Sequence, residues 1–298
     1  MGDSVTYGLG VGASESWPEQ LARLTGRTIY NMGLPGTGPT HHLVNLERAI
    51  NLKPDLILFG FFAGNDLWDC FHHVYNGPSP PSLTRGDDVA RKIIADLECR
   101  VPLLPSILSS FHHTFDPAPP AFKTAFGARR LFGIERERNR WAFLKTLALE
   151  RGLDVLDDQG VKTIFATRYR LHALNLEDVR IVEGKRLAIE ALRLMAREAA
   201  AVRVGFVVVL LPTKERVFSS LMRGPSADYS RLIACERQLW RELLSALAEC
   251  NIQTIDALPA LESASNRGIY PATADGHPTP AGHQIIAECI ASHMQRKI

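Results

Sequence analysis

The chain has 298 residues, of which 46% are hydrophobic and 22% are charged, a composition typical of a soluble globular protein. Its 34 Lys and Arg residues nearly balance its 32 Asp and Glu residues, and the net charge of +2 gives no reason to expect a nucleic-acid or acidic-membrane partner. Five scattered cysteines without a CxxC pair suggest neither a disulfide framework nor a cysteine zinc site.

No apolar run reaches the roughly 18 residues that cross a membrane, so we expect no integral membrane segment. The sequence starts without a basic segment followed by an apolar stretch, so it shows no signal peptide. The location of the protein therefore stays open, and an extracytoplasmic location would require an upstream export signal or anchor.

The first elements of the chain are predicted to alternate between helices and strands. Ser16 and Thr40 are candidate N-caps for helices over Trp17 to Leu24 and Thr40 to Asn51. Arg27 to Asn31 is predicted to be a short strand. The near-continuous apolar run Asp55 to Ala63 is typical of a strand buried on both faces of a parallel sheet.

Residues 68–175 break this pattern. They contain Pro-rich loops at 78–81 and 117–120 and short helical pieces, including a basic one near Glu135 to Glu150. We interpret them as an insertion or lid within one domain that spans residues 1–298.

Regular alternation returns after the insertion. Long helices are predicted over Asp178 to Ala201 and Ser226 to Glu249, and a closing helix over Pro280 to Met294. Val204 to Leu211 and Ile252 to Ile255 are predicted strands between them. This alternation predicts an α/β fold with a doubly wound parallel sheet and helices on both faces.

The residue types needed for acyl transfer occur at predicted strand ends, where such sheets bind ligands. Ser4 follows Gly2 and Asp3, Asn65 follows Gly64, and Asp275 and His277 precede the last helix. Serine becomes a good nucleophile when an imidazole takes its proton and a carboxylate orients that imidazole. An Asn amide or a backbone N–H beside glycine can stabilise the resulting oxyanion.

These residues resemble four blocks of the SGNH (GDSL-type) hydrolase family, in the family's order. The blocks are Gly2-Asp3-Ser4, Asn31-Met32-Gly33-Leu34-Pro35-Gly36, Gly64-Asn65-Asp66 and Asp275-Gly276-His277-Pro278. The resemblance covers about residues 1–66 and 178–298 and implies a flavodoxin-like fold without a cofactor. It implies that Ser4 is the nucleophile, His277 the base and Asp275 its orienting acid. It also implies an oxyanion hole made by Ser4, Gly36 and Asn65.

The sequence departs from the family in the spacing of its last block. One residue separates Asp275 from His277, where the family commonly has two. Residues i and i+2 of an extended segment point to the same side, so the pair can still form. The short spacing resembles a branch related to carbohydrate O-acetyl esterases and acetyltransferases.

A second departure is that the apolar strand expected before Gly2 is missing from the sequence. Either the natural start lies upstream, or another segment, for which Val161 to Thr167 is a candidate, takes its place. In the first case we expect an upstream-extended version to be more stable or more active, because an absent central strand leaves unpaired edges.

Several other residues are candidates for binding. Asp3, Asp66, His72 and Lys214 are candidates for substrate contact, although Lys214 could equally be a solvated surface residue. The His pairs 41–42, 72–73 and 112–113 lack carboxylates at ligand spacing, so we expect no metal site. Gly8 to Gly12 lacks the Lys and Ser/Thr of a phosphate loop and is interpreted as a turn.

The preferred hypothesis is a serine esterase or O-acyltransferase that acts on small acyl esters, with a carbohydrate-linked ester as its substrate. One alternative is a lipid or aryl esterase with an apolar acyl pocket in the insertion. The other is a non-catalytic carbohydrate-binding protein that keeps the fold.

Overall fold

The computed structural model describes residues 1–76, residue 83 and residues 133–295. The chain divides into two compact units, one formed by Met1–Thr84 with Gly152–Ile298 and the other by Arg85–Arg151. In the second unit the described element is a helix, Gly133–Glu150, which agrees with the helical piece predicted there. The Pro-rich segments 78–81 and 117–120 lie outside the described residues. The interpretation of the chain as one domain with an insertion at 68–175 stays a prediction.

A parallel sheet forms the centre of the first unit. The strands of the described residues are, in chain order, β1 (Leu56–Phe62), β2 (Val155–Asp158), β3 (Val161–Ile164), β4 (Gly205–Leu211) and β5 (Gln253–Asp256). The sheet order is β1-β4-β5, with Leu56 opposite Gly205 and Val207 opposite Gln253. Because helices cover both faces, β1 and β4 are apolar along nearly their whole length. The predicted doubly wound parallel sheet is confirmed.

Met1 and Gly2 lie beside β1, at the position of the strand expected to be missing. Gly60 donates its N–H to the Met1 carbonyl at 2.9 Å, and Gly2 bridges in parallel to both Gly60 and Gly33. The alternative that Val161 to Thr167 takes this position is wrong. Strand β3 pairs antiparallel with β2 in a separate two-stranded sheet.

Arg27 to Asn31 form no strand, so that prediction is also wrong. The Asn31 side chain accepts the N–H of Gly33 at 2.8 Å and donates to the Thr6 carbonyl at 3.1 Å. Hydrogen bonds of the Asn31 side chain thus hold the end of this segment, whereas a strand would be held by hydrogen bonds between backbones. A backbone bridge occurs two residues beyond the segment, between Gly33 and Gly2.

The helices of the described residues follow the predicted pattern closely. In chain order they are α1 (Ser4–Tyr7), α2 (Trp17–Thr25), α3 (Pro39–Val44), α4 (Leu46–Asn51), α5 (Asp66–Asn76), α6 (Gly133–Glu150), α7 (Thr167–Leu174), α8 (Val179–Ala201), α9 (Lys214–Val217), α10 (Ala227–Glu249), α11 (Leu258–Ser263) and α12 (Pro280–Gln295). The helix predicted over Thr40 to Asn51 is interrupted at Asn45, which separates α3 from α4. Within the described ranges no helix combines the length and apolarity needed to cross a bilayer.

Helix α5 begins one residue after Asn65, so its packing determines where that amide lies. It packs closely on the long helix α8 at Gly184. A Cβ atom at Gly184 would overlap the carbonyl oxygen of Leu67, a backbone atom that cannot rotate away. The contact therefore requires glycine at position 184.

We expect Gly184→Ala to lower the free energy of unfolding by about 1–3 kcal/mol, because overpacking forces α5 and α8 apart. Urea unfolding measures this change. Glu198→Ala, on an exposed part of the same helix, serves as the control and should stay within about 0.5 kcal/mol of the parent. Equal midpoints for the parent and Gly184→Ala would contradict the close contact.

Candidate active site

Ser4 begins helix α1, and the turn before it depends on two neighbours. Gly2 has φ of 144°, and a side chain there would overlap the Thr6 hydroxyl and approach the Gly60 carbonyl. Asp3 caps the helix, since its Oδ1 accepts the N–H of Val5 at 2.9 Å. The Gly-Asp-Ser sequence thus produces a tight turn that places the Ser4 hydroxyl at the end of the sheet.

The structure brings Ser4, His277 and Asp275 into one hydrogen-bonded chain. His277 Nε2 lies 2.9 Å from Ser4 Oγ, and His277 Nδ1 lies 2.7 Å from Asp275 Oδ1. The same carboxylate oxygen accepts the His277 backbone N–H at 3.0 Å. A carboxylate on Nδ1 favours the tautomer whose Nε2 accepts a proton, which is the form that can activate a serine.

The Ser4 hydroxyl has a second neighbour in Asp3. The distance from Ser4 Oγ to Asp3 Oδ2 is 3.2 Å, longer than the distance to His277 Nε2. Burial raises the pKa of Asp3, while the hydrogen bond from Val5 opposes this rise. A carboxyl group that keeps its proton more readily competes less with His277 for the serine proton.

Residues 273–277, here called the Asp275 loop, are held by a buried lysine. Lys214 Nζ donates to the carbonyls of Thr273 at 2.7 Å and Asp275 at 2.8 Å. Burial disfavours ionisation of Asp275, but the hydrogen bonds from His277 outweigh it and lower the pKa to about 2. The acid is therefore ionised at neutral pH.

Gly36 lies in the loop that begins beside the Ser4 turn. Leu34 donates its N–H to the Gly2 carbonyl at 2.9 Å, which holds the start of this loop against the turn. Gly36 itself is exposed and has φ of 72°, a left-handed conformation that favours glycine. His42, from α3, is buried and contacts the Gly2 carbonyl through Nε2 at 2.9 Å, so it supports the turn that precedes Ser4 from the protein interior.

Gly64 and Asn65, here called the Asn65 turn, follow the end of β1 after Ala63. The Asn65 amide donates one hydrogen to Asp69 Oδ2 at 2.5 Å. A carboxamide has two N–H groups, so the second stays available to a ligand. Asp69, one helical turn further along the chain, thereby orients the Asn65 side chain.

Three carboxyl groups, Asp3, Asp66 and Asp69, influence one another at this end of the sheet. Burial, and then repulsion from Asp3 and Asp69, raises the pKa of Asp66 well above its ordinary value. Burial raises the pKa of Asp69 to about 7, although the Asn65 hydrogen bond opposes the rise. Asp66 Oδ2 accepts the N–H of Phe62 at 3.1 Å, while Oδ1 is buried and has no hydrogen-bond partner among the described residues.

The four side chains predicted to contact substrate lie in different surroundings. Asp3, Asp66 and Lys214 have no exposed surface, so they support the turns and the Asp275 loop from inside the protein. In this structure they offer no surface to a substrate, and substrate contact by these residues stays a prediction. His72 is exposed and contacts the Trp68 ring at a centroid distance of 6.3 Å.

Two of the other His side chains pack against each other. His41 and His73 stack at a centroid distance of 3.8 Å, and His41 Nδ1 accepts the N–H of Gly38 at 3.2 Å. Among the described residues no cluster of His, Cys, Asp and Glu is arranged to hold a metal ion. His112 and His113 lie outside the described residues.

Sequence reasoning missed Arg170 on α7. This side chain is 7% exposed and donates from Nη1 to the Gly64 carbonyl at 3.2 Å. The surrounding sequence, Thr167–Leu174, carries no motif and falls within the predicted insertion. We find no signal in the sequence that would have identified it.

We expect the free energy of unfolding to fall as pH rises from the ordinary carboxyl range to the raised pKa of Asp66. The folded state holds that proton more tightly than the unfolded chain, by about 1.4 kcal/mol per pKa unit. Asp66→Asn mimics the protonated form and should weaken this pH dependence. Urea unfolding at pH 5 and 8 measures it, with Asp228→Asn as a surface control. Parallel pH slopes for Asp66→Asn and the parent would contradict a protonated Asp66.

The chain is similar to known proteins over most of its length. A solved structure assigned to the G-D-S-L family of lipolytic proteins, from Desulfitobacterium hafniense DCB-2, is 12% identical, with a TM-score of 0.44. That similarity covers 98% of this chain and 95% of the other. A second solved structure is 14% identical with a TM-score of 0.37, over 99% of this chain and 94% of the other. Among curated proteins none matches.

The family assignment comes from the sequence profile. Residues 1–285 match the GDSL-like lipase/acylhydrolase family, which includes all four blocks described above. This match favours the enzymatic hypotheses over a non-catalytic binding protein. The chain belongs to the GDSL-like lipase/acylhydrolase family and is an enzyme that acts on ester bonds.

Proposed function

We propose that the chain is a serine esterase or O-acyltransferase that acts on small acyl esters, with acetyl esters of a carbohydrate as its substrates. The observation that carries this proposal is the continuous hydrogen-bonded path from Asp275 through His277 to Ser4. Ser4 is the proposed nucleophile, His277 the general base and Asp275 the group that orients it.

In the proposed reaction, Ser4 Oγ attacks the ester carbonyl carbon and its proton passes to His277 Nε2. Asp275, ionised because its pKa is about 2, stabilises the imidazolium that forms. The backbone N–H groups of Ser4 and Gly36 and the free amide hydrogen of Asn65 stabilise the oxyanion. His277 then protonates the departing alcohol, which leaves the acyl group on Ser4.

The second half of the reaction repeats these steps with a new acceptor. Water or a sugar hydroxyl gives its proton to His277 and attacks the acyl-Ser4 carbonyl. Collapse of the second oxyanion releases the acid or the new ester, and His277 returns the proton to Ser4 Oγ. Water as acceptor gives an esterase, and a sugar hydroxyl gives an O-acyltransferase.

Two observations bear on the substrate. The single residue between Asp275 and His277 supports the carbohydrate-esterase branch by resemblance, and the pair forms a 2.7 Å hydrogen bond despite that short spacing. Exposed apolar side chains close to Ser4 in sequence, Tyr7 and Leu9, together with Leu34, favour the lipid or aryl esterase alternative.

We expect wild-type protein to hydrolyse an aryl acetate and Ser4→Ala to lose roughly 10³-fold or more of this activity, because no acyl-enzyme can form. Release of the phenolate is followed by absorbance. Ser14→Ala, at an exposed serine ten residues away, is the matched control and should retain full activity. Equal turnover by Ser4→Ala and Ser14→Ala would overturn the proposed nucleophile.

We also expect kcat/KM for an aryl acetate to exceed that for an aryl octanoate by at least about tenfold, since a site for small acyl groups excludes the longer chain. Release of acetate from an O-acetylated oligosaccharide then tests the carbohydrate acceptor. A higher kcat/KM for the octanoate would favour the lipid esterase. In that case Leu9→Asp and Leu34→Asp should each weaken the preference for the octanoate.

A further inference from the structure

Arg170 is a buried cation next to both halves of the proposed active site. Its guanidinium lies 5.1 Å from the centroid of the Phe62 ring and 5.2 Å from that of Tyr169. Within the described residues no carboxylate lies within ion-pair distance of this group. Burying a cation without an ion-pair partner lowers the stability of the folded state, so the burial of Arg170 indicates a role for its contacts with neutral groups.

One contact of Arg170 is with the Asn65 turn. Nη1 donates to the carbonyl of Gly64 at 3.2 Å, and Gly64 is bonded directly to Asn65. Phe62, whose ring lies under the guanidinium, is the last residue of β1. Arg170 therefore contacts the chain immediately before the amide proposed to stabilise the oxyanion.

The other contact is with the Asp275 loop. A Cβ atom at Gly276 would overlap Nη2 of Arg170, so the guanidinium lies against the backbone of the residue between Asp275 and His277. Gly276 is buried while Asp275 beside it is exposed. Because φ of Gly276 is not in the left-handed region, the restriction at this position comes from occupied space, and a larger side chain would require the guanidinium of Arg170 to move.

Two other side chains each hold one half of the site. Asp69 accepts the amide hydrogen of Asn65, and the two Nζ hydrogen bonds of Lys214 both go to the Asp275 loop. Arg170 differs from them because one planar group contacts both halves. A guanidinium is rigid and carries several donors in fixed directions, which suits it to set a distance between two backbone segments.

We propose that Arg170 is a positioning residue that sets the distance between the Asn65 turn and the Asp275 loop, and that it makes glycine necessary at position 276. The inference rests on the proposed serine mechanism. An oxyanion donor works when it lies about 3 Å from the developing charge, and a displacement near 1 Å costs on the order of 100-fold in rate. Losing the contact should therefore lower kcat more than it changes KM.

The first test compares Arg170→Met with Arg168→Met for turnover of an aryl acetate. Arg168 lies on the same helix, but its side chain is 80% exposed and pairs with Asp228 at the surface. We expect Arg170→Met to lower kcat roughly 100-fold with KM changed less than about threefold, and Arg168→Met to change neither. Arg170→Lys keeps the charge but has a single ammonium, and should recover part of kcat.

A double-mutant cycle tests the contact with Gly276. Gly276→Ala alone should lower kcat, because its methyl group displaces the guanidinium. In the Arg170→Met background the same substitution should cost several-fold less, since the longer group is gone. Additive losses would overturn the claim that Arg170 makes glycine necessary. Circular dichroism confirms that each variant is folded at the assay temperature.

The hydrogen bond between His277 and Asp275 can also be followed by NMR without turnover, so an inactive preparation can be used. The low-field proton resonance of His277 Nδ1–H reports its hydrogen bond to Asp275. We expect it to shift or broaden in Arg170→Met and to stay unchanged in Arg168→Met. An unchanged resonance together with unchanged kcat would overturn the positioning role. Turnover that survives Ser4→Ala would instead count against the proposed function, so the two failures are distinguishable.

Discussion

The site depends on one hydrogen bond, 2.9 Å long, between Ser4 and His277, which are far apart in the chain. Parallel strands make this contact possible, because their carboxyl ends share one edge of the sheet. Gly2 lies beside β1, the Asn65 turn ends β1, and Lys214 follows β4 by three residues. Each of these segments leaves the sheet at the same edge, so short turns are enough to bring the side chains together.

The parts of the fold that could be predicted from the sequence are those with a local signal. The apolar runs of β1 and β4 and the hydrophobic pattern of the long helices α8 and α10 identified these elements nearly to their ends. The Gly-Asp-Ser, Gly-Asn-Asp and Asp-Gly-His turns were recognisable because their chemistry lies in a few adjacent residues. Arg27 to Asn31 had a strand-like composition, but the Asn31 side chain holds that segment through bonds to distant residues.

The supporting residues could not be predicted, because their roles exist only after folding. Lys214 was expected either to contact substrate or to be a solvated surface residue, yet its ammonium turns inward to backbone carbonyls. Arg170 lies in a segment without a motif. It contacts Gly64 and Gly276, and each of these lies 106 residues away from it in the sequence. Two buried cations, Lys214 and Arg170, thus contact the backbone of the segments that carry Asp275, His277 and Asn65.

The side chain of Asp275 keeps 50% of its surface exposed, whereas that of His277 keeps 21%. The Asp275 carboxylate is thus half-exposed to solvent while it holds the imidazole through a direct 2.7 Å hydrogen bond. The Debye length falls from about 8 Å at physiological ionic strength to about 3 Å in 1 M salt, which is close to the separation of these two side chains. Concentrated salt would therefore weaken the electrostatic attraction between the Asp275 carboxylate and the His277 ring.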